Sequence, residues 1–160
     1  MGRRLARRQD TVLVIAGGGP EQQRLQKALK AQPELMQAIR FLGFIPRDEV
    51  FLLRRTAAVN LAPMGGYSLI ESCASGRPTI AYDVEWHSEL IEDGVSGKLV
   101  SEGDIEGLVT AVERYLDAPA LAVRVGAAGR ERAFVFHDIE KVFRVRAGVY
   151  RELLEGNCDE

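Results

Sequence analysis

The sequence holds little material for metal or disulfide chemistry. Its 160 residues include two cysteines and two histidines. Cys73 and Cys158 lie far apart, and His87 and His137 stand alone, so no cluster has metal-ligand spacing. Cys73 sits among small residues and reads as a buried thiol, whereas Cys158 falls in a polar tail. No apolar run approaches the ~20 residues of a membrane-spanning helix. No secretory leader is legible, so a reducing cytoplasm is the expected setting. Position 6 is Ala6, which removes Met1-Gly2 as a myristoylation signal. An excess of either charge is missing too. The 21 basic and 23 acidic residues leave a net charge of −2, and no nucleic-acid partner is expected. Internal repeats and low-complexity tracts are absent.

What remains is ordinary for one globular domain with its own core: 46% hydrophobic and 28% charged residues. Four arginines, Arg3, Arg4, Arg7 and Arg8, crowd the first ten positions. They read either as an anion-binding arm or as the exposed end of a helix. Thr11 to Ala16 is a continuous β-branched run, as expected of a strand buried on both faces of a parallel sheet. Gly17-Gly18-Gly19-Pro20 follows, then a helix to about Ala31 with Leu25, Ala28 and Leu29 on one face. A dinucleotide-binding turn of G-x-G-x-x-G spacing would need glycine at position 22, where the chain has Gln22. The acid expected ~20 residues further on is also missing between Gln37 and Leu42.

Ile39 to Leu42 reads as a second strand ended by Gly43-Phe44. A helix from Arg47 to Arg55 would turn Val50 and Leu53 inward and its arginines outward. Val59 to Ala62 is a third strand. Pro63, Gly65 and Gly66 break it, and the helix from Leu69 to Ser75 is too short to persist without packing. Gly76 suits the residue past a helix end, and Pro78 blocks continuation. Thr79 to Tyr82 is the next strand, Glu85 to Glu92 a helix, and Lys98 to Val100 the last strand. Asp104 suits a helix N-cap, with Ile105, Leu108, Val109, Val112 and Leu116 along one face. Pro119 opens another helix, with Leu121, Val125, Ala128 and Ala133 on its buried side. Asp138 caps the last one, whose face holds Val142, Val145, Val149, Tyr150 and Leu153. Glu71 is the only carboxylate in the central loop and helix, and such loops face the strand ends where α/β folds place ligands.

The run Ser68-Leu69-Ile70-Glu71-Ser72-Cys73-Ala74-Ser75-Gly76-Arg77-Pro78-Thr79-Ile80-Ala81 resembles the donor half of retaining GT-B glycosyltransferases, the class of glycogen synthases and bacterial mannosyltransferases. Their pattern reads P-x-x-E-G-F-G-x-x-x-L-E-A-M-A-S-G-x-P-V-I-A. Leu13 to Pro20 resembles their L-x-I-x-G-x-G-P element, and the strand ending at Gly43-Phe44 their V-x-F-L-G-x-V. Glu89, Asp93, Gly94 and Gly97 match G-G-x-x-E-x-V-x-D-G-x-x-G, with Glu85 and Trp86 in place of its two leading glycines. Trp86 either narrows the sugar pocket or covers the sheet edge.

The resemblance implies a Rossmann-like three-layer α/β sandwich with a parallel sheet of about five strands, half of a GT-B fold. Residues 11–155 would form the donor-nucleotide domain, residues 1–10 an arm or helix end, and residues 156–160 a frayed tail. The implied donor is a nucleotide-diphosphate-sugar, with no separate cofactor and no metal. Glu71 would accept two hydrogen bonds from the ribose diol, since a carboxylate offers acceptors only. Gly65, Gly66, Tyr67, Ser68 and Leu69 would face the diphosphate or sugar, and Gly17 and Gly19 would lie beside the diphosphate. Gly43 and Phe44 would contact the base, unless Gly43 only ends a strand. The family places another acid eight positions before Glu71, where this chain has Pro63.

The resemblance covers about half of a family member. The acceptor-binding domain is expected to be missing or supplied as a separate subunit. The first donor-domain strand, which carries a diphosphate-binding Arg and Lys, has no counterpart here. The chain is therefore expected to be inactive alone, with an uncovered sheet edge as a candidate homodimer surface. Attachment to the membrane periphery would come through the missing half. A non-catalytic nucleotide-binding or interaction module is the alternative. A nucleotide-sugar epimerase, which shares the two-domain architecture, lacks supporting motifs.

Overall fold

The computed structural model describes residue 8 and residues 10–155. Arg3, Arg4 and Arg7 of the expected arm and the expected tail at 156–160 lie outside the described residues. Arg8 is described, and its guanidinium donates to the Asp117 carboxylate at 2.7 Å.

The element order is β1 (Leu13–Ala16), α1 (Glu21–Lys30), α2 (Pro33–Ala38), β2 (Ile39–Gly43), α3 (Arg47–Thr56), β3 (Asn60–Leu61) and α4 (Tyr67–Ala74). There follow β4 (Thr79–Tyr82), α5 (His87–Leu90), β5 (Lys98–Val100), α6 (Ile105–Asp117), α7 (Pro119–His137) and α8 (Ile139–Leu154). Every strand pairing is parallel. The two alternating halves of β4 show the layering. Ile80 joins one core cluster with Val100, Leu108, Val112 and Val125, and Ala81 joins another with Leu69, Cys73, Leu90 and Leu99. Helix α6 therefore covers one face of the sheet and α4 and α5 the other. Fully burying a side chain such as Ile80 stabilises by roughly 1.5–3 kcal/mol.

The sheet is not continuous. Among the described residues β1 pairs with β2, and β3 with β4 and then β5. A cavity of about 740 Å³ separates the two ladders, lined by Thr11 to Ala16 on one side and Ala57 to Leu61 on the other. No main-chain ladder crosses it, so β1 and β3 each pair on one side only. The uncovered edge expected of the sheet thus faces an internal gap rather than an outer rim. The side-chain exposures correct the expectation that Thr11 to Ala16 is buried on both faces. Val12 is 50% and Val14 43% exposed, while Leu13 packs on the first cluster.

Helix boundaries fall within a few residues of expectation, with three departures. A short α2 precedes β2. Helix α5 is confined to His87–Leu90. Glu85 enters it at φ +50, the one non-glycine with positive φ among the described residues. Most of the face expected of α8 is uncovered: Val145, Val149, Tyr150 and Leu153 are exposed, while Val142 is half-buried. Trp86 packs against the second core cluster, its ring edge-on to His87 with centroids 5.4 Å apart. Among the described residues no helix is long and apolar enough to cross a membrane.

Helix α7 lies so close to its neighbours that two of its glycines are required. A Cβ at Gly126 would stand 2.4 Å from the Gly76 carbonyl oxygen, and one at Gly129 2.5 Å from that of Ser96. Gly148 in α8 has open space around it. Gly126→Ala is expected to destabilise the chain by about 2 kcal/mol, because overpacking costs ~1–3 kcal/mol and exceeds the helix-propensity gain. Gly148→Ala is expected to stabilise it by about 0.5–1 kcal/mol. Urea denaturation of both variants checks the opposite signs. Equal shifts would mean that α7 is not seated on Gly76.

Candidate functional site

The expected site residues come from turns at the carboxyl ends of β1, β2 and β3. Gly17 follows β1 at φ +107, and Gly43 ends β2 at φ +66, conformations that side chains with a Cβ rarely adopt. The Gly17 amide donates to the Gly43 carbonyl at 2.6 Å, tying the two turns together. The Phe44 ring is 88% exposed, yet its edge would stand 2.9 Å from a Cβ on Gly18. Gly17 to Gly19, with Ile15, Leu25 and Phe41, line a cavity of about 600 Å³.

The turn after β3 is built on Gly65. A Cβ there would lie 2.8 Å from Ser68 Oγ and 2.9 Å from the Leu69 amide. Gly66 occupies the N-cap of α4, and its carbonyl accepts from the Leu69 amide at 3.0 Å. Tyr67 is 86% exposed, whereas the Leu69 side chain is fully buried. Pro63 and Ser68 line the cavity between the two ladders. Gly76, at φ +78, stops α4, and Pro78 leads into β4.

Glu71 sits in the middle of α4 with its side chain 30% exposed. Its Oε1 accepts from Arg47 Nη2 at 3.1 Å, and its Oε2 accepts from Arg54 Nη1. Both arginines come from α3. The expectation that the α3 arginines point outward therefore fails for Arg54, whose side chain is 18% exposed, and holds for Arg47 at 90%. Arg54 is itself anchored. Its carbonyl accepts from Asn60 Nδ2 at 3.1 Å, and the same buried amide donates to Ser75 Oγ at 2.9 Å. Sequence reading singled out Glu71 and missed the two cations that hold it. The signal available was a pair of arginines seven residues apart, two helical turns, on one face of α3.

Cys73, two residues on, is packed rather than reactive. Burial pushes its thiol up to about 11, with a hydrogen bond to Thr79 working the other way, so little thiolate forms near neutrality.

The model for glycosyl transferases group 1 matches residues 3–132. The chain belongs to the group 1 glycosyl transferases. Glycogen synthase from Mycobacterium tuberculosis is 30% identical over 88% of this chain, which spans 34% of that protein's length. The chain therefore spans about a third of that relative. The solved structure of sucrose-phosphate synthase from Thermosynechococcus elongatus superposes with a TM-score of 0.84 at 25% identity, over 97% of this chain and 41% of that one. Anabaena HepE, solved in complex with UDP-glucose, gives a TM-score of 0.81 at 18% identity, over 94% and 44%. The fold is thus the Rossmann-like half of a GT-B glycosyltransferase.

Proposed function

We propose that residues 11–155 bind the nucleotide of a nucleotide-diphosphate-sugar and form the donor half of a retaining glycosyltransferase that acts without a metal. The observation that carries this reading is Glu71, fixed by two guanidinium groups in the helix that follows the Gly65-Gly66 turn. Membership of the group 1 family supports it, as does the fold shared with HepE, which was solved with UDP-glucose. Glu71 accepts from the ribose diol. The Gly65 to Ser68 turn and the Gly17 and Gly19 turn face the diphosphate, and Gly43 with the exposed Phe44 ring contacts the base. The acceptor side comes from a further domain or a separate subunit. Calorimetric titration with uridine, guanosine and adenosine diphosphates tests the reading. Saturable binding of at least one is expected, and no heat with any of the three would refute it.

A non-catalytic nucleotide-binding module is the second reading, favoured by Pro63. Proline has neither a carboxylate nor an amide donor, so position 63 offers the sugar no such contact. The sugar is therefore expected to add less than about 1.4 kcal/mol, or tenfold, to the affinity of the bare diphosphate. A sugar conjugate binding a hundredfold tighter would contradict this.

A further inference from the structure

We infer that Arg54 and Arg47 have opposite effects on ligand binding at Glu71: Arg54 positions the carboxylate, and Arg47 competes with the ligand for it. This rests on the reading of Glu71 as the ribose acceptor. Arg54 is set up to stay. Its side chain is 18% exposed, it bonds Oε2, and its main chain is held by the buried Asn60 amide, itself linked to Ser75 in the same stretch as Glu71. Arg47 is set up to leave. It stands at the first residue of α3, its side chain is 90% exposed, and among the described residues its side chain bonds Oε1 at 3.1 Å. An exposed ion pair of this kind is weak and screened by salt, so displacing it costs little.

The geometry makes the competition specific to a diol. An ionised carboxylate has about four acceptor sites on two oxygens. Each oxygen of Glu71 already accepts one guanidinium hydrogen bond. A single hydroxyl finds a free site with both arginines in place. Two hydroxyls and two guanidinium groups match the four sites in number, but the Glu71 side chain is only 30% exposed. A diol that reaches both oxygens must therefore enter from the open side where the 90% exposed Arg47 stands, and Arg47 is the one to yield. Arg47 therefore acts as a displaceable counter-ion that keeps the empty carboxylate neutralised, and it is released by a ribose but not by a 2′-deoxyribose.

The test compares a nucleoside diphosphate with its 2′-deoxy form by calorimetry, using whichever of the uridine, guanosine and adenosine pairs binds the parent most tightly. Arg47→Ala is expected to tighten the ribonucleotide about two- to fivefold, the range set by the strength of an exposed pair, and to leave the deoxynucleotide unchanged. Arg54→Met is expected to erase most of the preference for ribose, and Arg54→Lys to restore part of it. Arg54→Lys also guards against a folding defect in Arg54→Met. Weaker ribonucleotide binding by Arg47→Ala, an equal change for both ligands, or an unaltered ribose preference in Arg54→Met would overturn the inference. Glu71→Gln separates the two levels. If it lowers the ribose preference while the arginine variants do not behave as stated, only the division of roles fails. If it leaves the preference intact, or if no nucleotide binds the parent, the reading of Glu71 fails and the inference with it.

Discussion

Incubated with radiolabelled nucleotide sugars and a panel of simple acceptors, the purified chain is expected to give no acceptor-dependent transfer above background. Holding donor and acceptor in a near-attack geometry can account for ~7–11 kcal/mol of a barrier. At 1.36 kcal/mol per tenfold, the lower figure alone is about 10⁵ in rate. The proposed donor residues sit on the turns after β1, β2 and β3 and on helix α4, and they supply one wall of such a site. Charge developing on the leaving diphosphate also needs preorganised donors. Neither the Gly17-Gly18-Gly19 turn nor the Gly65-Gly66-Tyr67-Ser68 turn carries a cation of its own. Robust turnover by the chain alone would show that the groups that bind and position the acceptor lie within these 160 residues. Turnover restored by a second polypeptide would agree with the reading of a donor half.

Replacing Glu71 carries the second large effect. With Glu71 as the proposed ribose acceptor, Glu71→Ala is expected to remove two charge-assisted hydrogen bonds, each worth roughly 1.5–3 kcal/mol. Nucleotide affinity is expected to fall by at least about tenfold. The arginine pair changes what else follows. Without the carboxylate, Arg54 keeps its charge at a site where its side chain is only 18% exposed. Breaking a fully buried pair costs ~3–5 kcal/mol, but the Glu71 side chain is 30% exposed and solvent screening reduces this. A loss of about 1–2 kcal/mol of stability is therefore expected alongside the loss of affinity. Glu71→Gln keeps the shape and one carbonyl acceptor, so it should recover part of the stability and little of the affinity. Calorimetry and thermal unfolding on the same samples check both. Unchanged affinity in Glu71→Ala would remove Glu71 from the site.

Much of this was legible in the sequence because it depends on short-range chemistry. Gly76 and Pro78 ended α4 where left-handed φ and a missing amide require it. Asp104 capped α6 by accepting from the Gly107 amide at 2.8 Å. Thr79 to Tyr82 and Lys98 to Val100 became strands with those bounds. The short helix α2 and the shortening of α5 to His87–Leu90 are local misses, and the others are long-range. The apolar run around β1 looks the same whether it has one partner strand or two, so the gap beside β3 was invisible. The apolar positions of α8 likewise mark a face but not what covers it. Arg54 reads as one more charge on an exposed helix until α3 is placed against α4. The turn glycines were found by motif, and their close contacts, as between Gly65 and Ser68, only by packing.

The central claim is that a nucleoside diphosphate binds on the turns after β1, β2 and β3 and is held by Glu71. Amide chemical-shift mapping of the ¹⁵N-labelled chain during titration with the tightest-binding diphosphate tests it residue by residue. The account predicts saturable shifts concentrated at Gly17, Gly19, Gly43, Phe44, Gly65 to Leu69 and Glu71, with α6, α7 and α8 undisturbed. Saturable shifts confined to other surfaces, or none at these turns, would contradict it.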